Sequence, residues 1–504
     1  MSVTPAYRYF AVPSRRRIFS LRSRLGYDGP PPHLLMGNMD IILRAPPHRK
    51  RKRLWLWEEM GEKYGPTYGF YMGPVLRIVT TDLELIKDAF IKNFGNFIDR
   101  MHFRLQSDIN QKGLLSLHGQ EWKNMRAILS PAFTANKLRQ MSSVINSQLE
   151  VLVATLEGHA NAQRSFDIYD PFQCLTLDVI GRVAFAMNTQ CQKDPNDPFL
   201  YNCKNFFAGG FIENSKLLQA VVLVPELTPL LTLFRSQTSF GSHEKWLIDR
   251  LEKIFQYRKK ITKDFESIDV LQLLLLQQRN KTVGQLEATL DDEEQQSKQT
   301  TLIKKDVEVT DRVIVANALI FLLAGYETTS TAVTYTAWLL ATNPEVQKQL
   351  QREVDSTLGR PGDLTYDLVR KMPYLDAVFR ESLRLYAPVP DLVIRTCVRE
   401  CSIGPHRFVP GMEIGAPADL IHHHPDLWPQ PHKFMPERFL EDGSATRHPA
   451  AWLPFGLGPR NCIGLRFAEM EYKMTLARIM QTFTLLPADH STVSYHICIQ
   501  NYLD

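Results

Sequence analysis

Cysteine is scarce in this chain: seven among 504 residues, at positions 174, 191, 203, 397, 401, 462 and 498. They are too scattered for a disulfide framework, and none forms a Cys-x-x-Cys pair of the zinc type. A reducing compartment is the natural inference. Acid is missing from residues 1–27, which carry six arginines and no apolar run near the length of a membrane span. Internal repeats are lacking, and no shift of composition marks a second domain. What is present suits a sizeable core, with 44% apolar and 22% charged residues, and excludes global disorder. The net charge is a modest +5. A basic run, His48-Arg49-Lys50-Arg51-Lys52-Arg53, stands directly before Leu54-Trp55-Leu56-Trp57. No nucleic-acid-binding module accompanies it, so it reads as a lipid-headgroup contact or a solvated surface.

The segment Phe455-Gly456-Leu457-Gly458-Pro459-Arg460-Asn461-Cys462-Ile463-Gly464 sets one cysteine between glycines and ahead of a helical pattern from about Leu465 to Gln481. Glycine lets the backbone turn sharply and approach a flat ligand. The positive end of the following helix would favour thiolate over thiol, and Arg460 suits a carboxylate on the same ligand. A thiolate so placed can be an axial ligand to heme iron. A buried cysteine in a Gly-rich turn is the bland alternative.

Thr310-Asp311 reads as a helix start, and no proline follows until Pro344, so a helix of roughly 50 Å can run to about Thr342. Its middle, Ala324-Gly325-Tyr326-Glu327-Thr328-Thr329, leaves room for a small molecule and then supplies an acid and an alcohol for proton transfer. The alternative is a threonine bonded back to the helix and a surface glutamate. Glu381 and Arg384 are three apart on one helical face within an apolar segment, and Trp122 and Arg126 are four apart. Tyr68 to Thr81 alternates around Gly73-Pro74 as a hairpin, and the pattern is then mostly helical to about residue 280. Lys216 to Phe234 is apolar but broken by Pro225, Glu226 and Pro229, which suits a segment dipping into a membrane interface or a surface lid. Residues 282–305 are acidic without periodicity and read as a loop with no chemistry. Three consecutive histidines, 422–424, cannot easily converge on one metal ion.

Phe455, Gly458, Arg460, Cys462 and Gly464 match every position of Phe-x-x-Gly-x-Arg-x-Cys-x-Gly, and on these residues the chain resembles the cytochrome P450 superfamily. Ala324 to Thr329, Phe434-Met435-Pro436-Glu437-Arg438-Phe439 and Gly29-Pro30-Pro31-Pro32 extend the likeness to its microsomal type. It is closest in appearance to the drug- and steroid-oxidising family and thromboxane-A synthase. The resemblance implies a mainly α fold, a helical heme domain with a smaller β-rich region. That domain would span 29–504 with an atypical end from about 488, after a basic segment 1–28 that is an anchor flank or a targeting segment.

The implied cofactor is heme b, iron protoporphyrin IX, with Cys462 as the axial ligand of the iron. Trp122, Arg126, Arg395 and Arg460 would hold its propionates, with Phe455, Gly458 and Gly464 shaping the loop. Thr328 and Glu327 would deliver protons, and Glu381, Arg384 and Arg438 would form a structural triad. Phe321, Ala324, Leu392 and Val393 would line the substrate pocket. The resemblance also implies NADPH-cytochrome P450 reductase as electron donor, a lipophilic substrate (fatty acid, steroid or xenobiotic) and a membrane surface as partners. Location would be the cytoplasmic face of the endoplasmic reticulum, or alternatively the mitochondrion; nucleic acid is not an expected partner. The expected activity is insertion of one atom of O2. Two alternatives stand: an endoperoxide isomerase of the thromboxane-synthase kind, which Glu327-Thr328 argues against, and a non-catalytic heme-binding splice form. The segment Thr492 to Asp504 departs from the family pattern.

Overall fold

The computed structural model describes residues 12–44, 52–101, 105–210, 215–261, 269–278, 309–358, 364–390, 393–440, 447–488 and 496–502. Most of the basic run 48–53, the acidic stretch 282–305 and Leu392 lie outside them.

A short helix α1 (Val12–Phe19) leads to the hairpin β1 (Thr67–Met72) and β2 (Val75–Thr80), whose register pairs Thr67 with Thr80 across the Gly73-Pro74 turn. Helices α2 (Gly119–Leu129), α3 (Ala135–Ala162) and α4 (Tyr169–Phe185) follow, with the two-residue strand β3 (Phe166–Asp167) before α4. Then come α5 (Pro198–Gly210), α6 (Lys216–Leu223) and α7 (Ser239–Ile261).

The central element is α8 (Asp311–Thr342), 32 residues long. Thr310 caps it by accepting the Val313 N–H, and Asp311 lies in its first turn, where acid complements the helix dipole. No proline interrupts it, and its apolar residues recur on nearly all sides, which is the pattern of a helix buried all round. It packs against α4 on one flank and against α10 (Leu465–Thr482) further along. Helix α9 (Pro373–Leu385) begins with proline at its first position, where no backbone N–H is lost.

After α9 come the short strands β4 (Ile394–Thr396), β5 (Cys401–Ile403), β6 (His406–Phe408) and β7 (Glu413–Gly415). The main sheet runs β1-β2-β7-β4, with β2 and β7 parallel and the outer pairs antiparallel. Arg77 and Glu413 face each other in that register as a buried ion pair at 2.7 Å. One core lies among the helices and a second, around Ile78, Phe90, Phe408 and Ile414, lies on the sheet side.

The unusual C-terminal segment is part of the fold. β9 (His496–Asn501) pairs antiparallel with β8 (Phe483–Pro487) on one side and β3 on the other. Its alternate residues Ile497 and Ile499 are buried, 0% and 3% exposed, while the strand as a whole bridges chain positions more than 300 residues apart. Ile497→Ala is therefore expected to lower stability by about 2–4 kcal/mol, seen as a lower thermal midpoint. An unchanged midpoint would show that the tail contributes nothing.

Candidate active site

The loop 455–464 is closed by its own backbone. The Cys462 N–H donates to the Phe455 carbonyl at 2.9 Å, and the Asn461 N–H donates to Gly458 at 2.9 Å. Gly458 has φ +73°, and a Cβ there would lie 2.0 Å from the Phe90 carbonyl oxygen, so only glycine lets the loop sit this close to the neighbouring chain. Helix α10 starts directly after Gly464. Cys462 is exposed although it lies deep among protein atoms, so it faces a space within the fold.

The expected bias towards thiolate is not what the environment produces. Burial pushes the Cys462 thiol up, and this outweighs the Gly464 N–H and the charges of Arg126 and Arg100 that pull it down. The helix end and the arginines are real, but desolvation is the larger effect. A sulfur anion persists in this position only with a cation bound to it directly.

Around that space four guanidinium groups crowd together. Arg395, on β4, is buried, stacks over the Phe90 ring at 4.8 Å and donates to the Ile394 and Leu457 carbonyls. Arg460 lies 4.3 Å over the Trp122 ring and donates to the Leu117 carbonyl at 2.6 Å. Arg126, on α2, binds Asn461 twice, through its carbonyl at 2.9 Å and its side-chain oxygen at 2.7 Å. The Trp122 ring is a platform for Arg460 and, at 5.8 Å, for Arg126 as well, while Arg126 holds the residue beside Cys462.

The fourth member, Arg100, was not predicted. It donates to the Arg460 carbonyl at 2.8 Å. Burial pushes Arg100 down to about 10 and Arg460 to about 9, and Arg395 is driven well below its ordinary range by burial and by the three other arginines. Among the described residues the acid beside them is Asp99, 3.7 Å from Arg460 and also bound by His118 and the Gly119 N–H. Nη1 of Arg100 and the Nε atoms of Arg395 and Arg460 are buried without a hydrogen-bond partner among the described residues. Such a cluster calls for an anion.

Helix α8 supplies the opposite wall. Ala324 is exposed in the middle of an otherwise buried helix. Phe321, one turn earlier on the same face, packs against the Phe133 ring at 5.7 Å, and Phe133 in turn is the residue nearest Gly464. Gly325 does not add room for a ligand: a Cβ there would meet Ile180 of α4 at 2.8 Å, so this glycine permits helix packing instead. The Thr328 hydroxyl donates to the Ala324 carbonyl at 2.7 Å. Glu327 points away from Thr328 and accepts from the Tyr169 hydroxyl at 2.5 Å and from Gln173 at 3.4 Å. Burial raises the Glu327 carboxyl, and these two donors oppose it. Val393 is 4% exposed and buried in the sheet-side core. An internal space with a sulfur on one side, a small-residue helix face on the other and a cationic rim fits a flat dianionic porphyrin.

Behind the loop, Arg384 grips Glu381 at 2.7 and 2.8 Å, and Arg438 reaches the same carboxylate at 3.3 Å. Arg384 also donates to the His422 and Pro431 carbonyls at 2.7 Å, and Glu381 accepts the Met435 N–H. Glu381 and Arg384 are both 0% exposed, and their charges are satisfied by each other, by Arg438 and by backbone groups. His422 is buried and its Nε2 accepts the Leu453 N–H at 2.8 Å; burial holds it down to about 3. His422 therefore serves the approach to the cysteine loop while His423 and His424 bond Asp419 and Asp426 locally, and no group of metal-ligating side chains occurs among the described residues.

Two outcomes are expected. Glu381→Ala leaves two arginines facing a buried gap and costs roughly 3–5 kcal/mol, whereas Glu400→Ala, at the exposed Arg407 pair, costs about 1 kcal/mol or less; denaturation midpoints distinguish them. For His422, the unfolded chain binds a proton below pH 6.5 that the folded chain refuses until about 3. Stability should fall as pH drops through that window, and His422→Gln should flatten that part of the profile.

The cytochrome P450 family model matches residues 28–496. Cytochrome P450 3A41 of Mus musculus is 32% identical over 492 residues, covering 97% of this chain and 91% of that protein. Cytochrome P450 3A5 of Homo sapiens is 33% identical over 494 residues, with the same two coverages. Cytochrome P450 3A40 of Oryzias latipes is 32% identical over 484 residues, covering 95% of this chain and 90% of that protein. With a match across nearly its whole length, the chain belongs to the cytochrome P450 family of heme-dependent monooxygenases.

Proposed function

We propose that this monooxygenase inserts one atom of O2 into a lipophilic substrate of the steroid or xenobiotic kind, drawing electrons from NADPH through a flavoprotein reductase. The single observation that carries the reading is the enclosed Cys462 facing an internal space rimmed by four arginines. Cys462 would ligate the iron, and Arg100, Arg126, Arg395 and Arg460 would share the two propionates. When bound, the heme supplies oxygen activation, which a thiolate ligand assists by electron donation. The chain's own part is to exclude water with the apolar wall of α8, hold the porphyrin carboxylates and bring protons from Glu327 towards Thr328. For Thr328 to pass a proton, its hydroxyl must leave the Ala324 carbonyl, a single rotation about χ1.

The site is placed at a membrane surface in this reading, at the endoplasmic reticulum. Leu227, Leu230, Leu233 and Phe234 are exposed beyond α6, with Leu35 beside them. Arg15 of α1 ties these parts together, pairing with Glu226 at 2.8 Å and donating to the Leu35 and Leu223 carbonyls. The one described helix long and apolar enough to cross a bilayer is α8, and 67% of its most apolar window is buried as core.

A reduced carbon monoxide difference spectrum tests the ligand: the thiolate-type band is expected, and Cys462→Ala should lose it. A histidine-type band in the unaltered protein would sink the reading. Product formation should require NADPH and reductase; turnover of an endoperoxide without them would favour the isomerase. Arg395→Leu should weaken heme binding roughly tenfold to a hundredfold while raising the thermal midpoint of heme-free protein, because repulsion in the cluster is relieved.

A further inference from the structure

We propose that Tyr169, on α4, is a positioning residue for proton delivery: its hydroxyl anchors the Glu327 carboxyl on the outer flank of α8 and holds it ready to ionise. The inference rests on the reading of Glu327 as the proton source. It concerns a partner of that acid which no sequence motif marks.

Helix geometry sets the problem. Successive residues are about 100° apart, so Glu327 cannot share the cavity face with Thr328. Tyr326, fully buried, marks the face packed on α4, where its carbonyl accepts the Thr176 hydroxyl at 2.8 Å. Ala324 and Thr328 lie about 160° away from it, and Glu327 falls between the two faces. Burial alone raises that carboxyl and favours its protonated form. Two donors from α4 counter this. Tyr169 is the short, strong one at 2.5 Å, and Gln173 is weaker at 3.4 Å. The Tyr169 ring is half-buried, and its neighbour Asp170 is exposed and paired with Lys204 of α5 at 2.6 Å. Lys204 also favours the ionised form of Glu327 by its charge. The remaining titratable groups around the acid are Cys203 of α5 and Tyr326, both neutral. Among the described residues Tyr169 is the one hydroxyl that donates to the Glu327 carboxyl, and the next residue along α4, Asp170, is exposed and paired with Lys204. A proton taken from water at that edge reaches Glu327 through the Tyr169 oxygen, and the phenol gives up one proton as it accepts the other.

The test uses full-length holoenzyme in its resting state. The carboxyl infrared band assigned by its loss in Glu327→Gln is titrated with pH. Tyr169→Phe removes a donor to the carboxylate, so the midpoint should move to higher pH; Gln173→Leu should move it less. In the same variants, product formed per NADPH should fall, on the order of tenfold for Tyr169→Phe, short of the roughly hundredfold or more for loss of the acid itself. Heme content and the carbon monoxide spectrum should be unchanged, which shows that Tyr169→Phe folds and leaves the oxygenase reading intact. An unmoved midpoint in Tyr169→Phe overturns the proposal. A moved midpoint with unaltered coupling overturns it differently, by showing that Glu327 does not supply the proton.

Discussion

Four like charges held near one another inside a protein are the constraint on which the rest of this structure depends. Arg100, Arg126, Arg395 and Arg460 come from separate parts of the chain, and each loses hydration to be there. Asp99 offsets a fraction of that charge. Beside them Cys462 presents the opposite difficulty, a sulfur that burial keeps protonated. In the proposed reading an iron porphyrin with two carboxylates would resolve both at once, its metal balancing the sulfur and its anionic edge the arginines. Each half of the site is unfavourable without the other, so the protein is electrically unfinished until the cofactor is in place.

Holding such a cluster requires a stiff frame, and the frame is built from charges too. Arg77 and Glu413 lock β2 to β7, the strand next to the one that carries Arg395. Glu381, Arg384 and Arg438 lock α9 to the segment ahead of the cysteine loop. In both places every charge has a partner, which separates structure from site: satisfied buried charges support, and unsatisfied ones bind. The same rule sorts Trp122 from Arg126, since the ring supports Arg460 while the guanidinium reaches the residue next to the sulfur.

Local features were legible in the amino-acid sequence because local physics sets them. The Thr310 cap, the end of α8 at Thr342 and the hairpin around Gly73-Pro74 follow from capping, proline placement and alternation. The cysteine loop was legible as a motif. Arg100 was not, since a lone arginine after an aspartate carries no periodicity and acquires meaning only when chain ends far apart meet. The direction of the Cys462 shift was misread for a related reason: a helix end is visible in sequence, but the depth of burial is a tertiary property. Gly325 was assigned to ligand space, and only the position of Ile180 shows that another helix uses it. The strand β9 was obscured because one of its partners, β3, lies more than 300 residues earlier in the sequence.

The pairing of an acid with an alcohol at adjacent positions, Glu327 and Thr328, has a geometric meaning once α8 is seen as a wall. A side chain reaches the enclosed space at 321, 324 and 328, position 326 faces α4, and Thr329 meets Glu471 of α10. Position 327 lies on the border. An acid there is neither sealed in the core nor open to the cavity, and its state depends on which neighbours α4 offers. Here they are a phenol and an amide, with a lysine further out. In the proposed reading the helix that shields the reaction space from water would also carry, at its border, the group through which protons are admitted. Shielding and admission are compatible because the helical repeat separates them by about one hundred degrees.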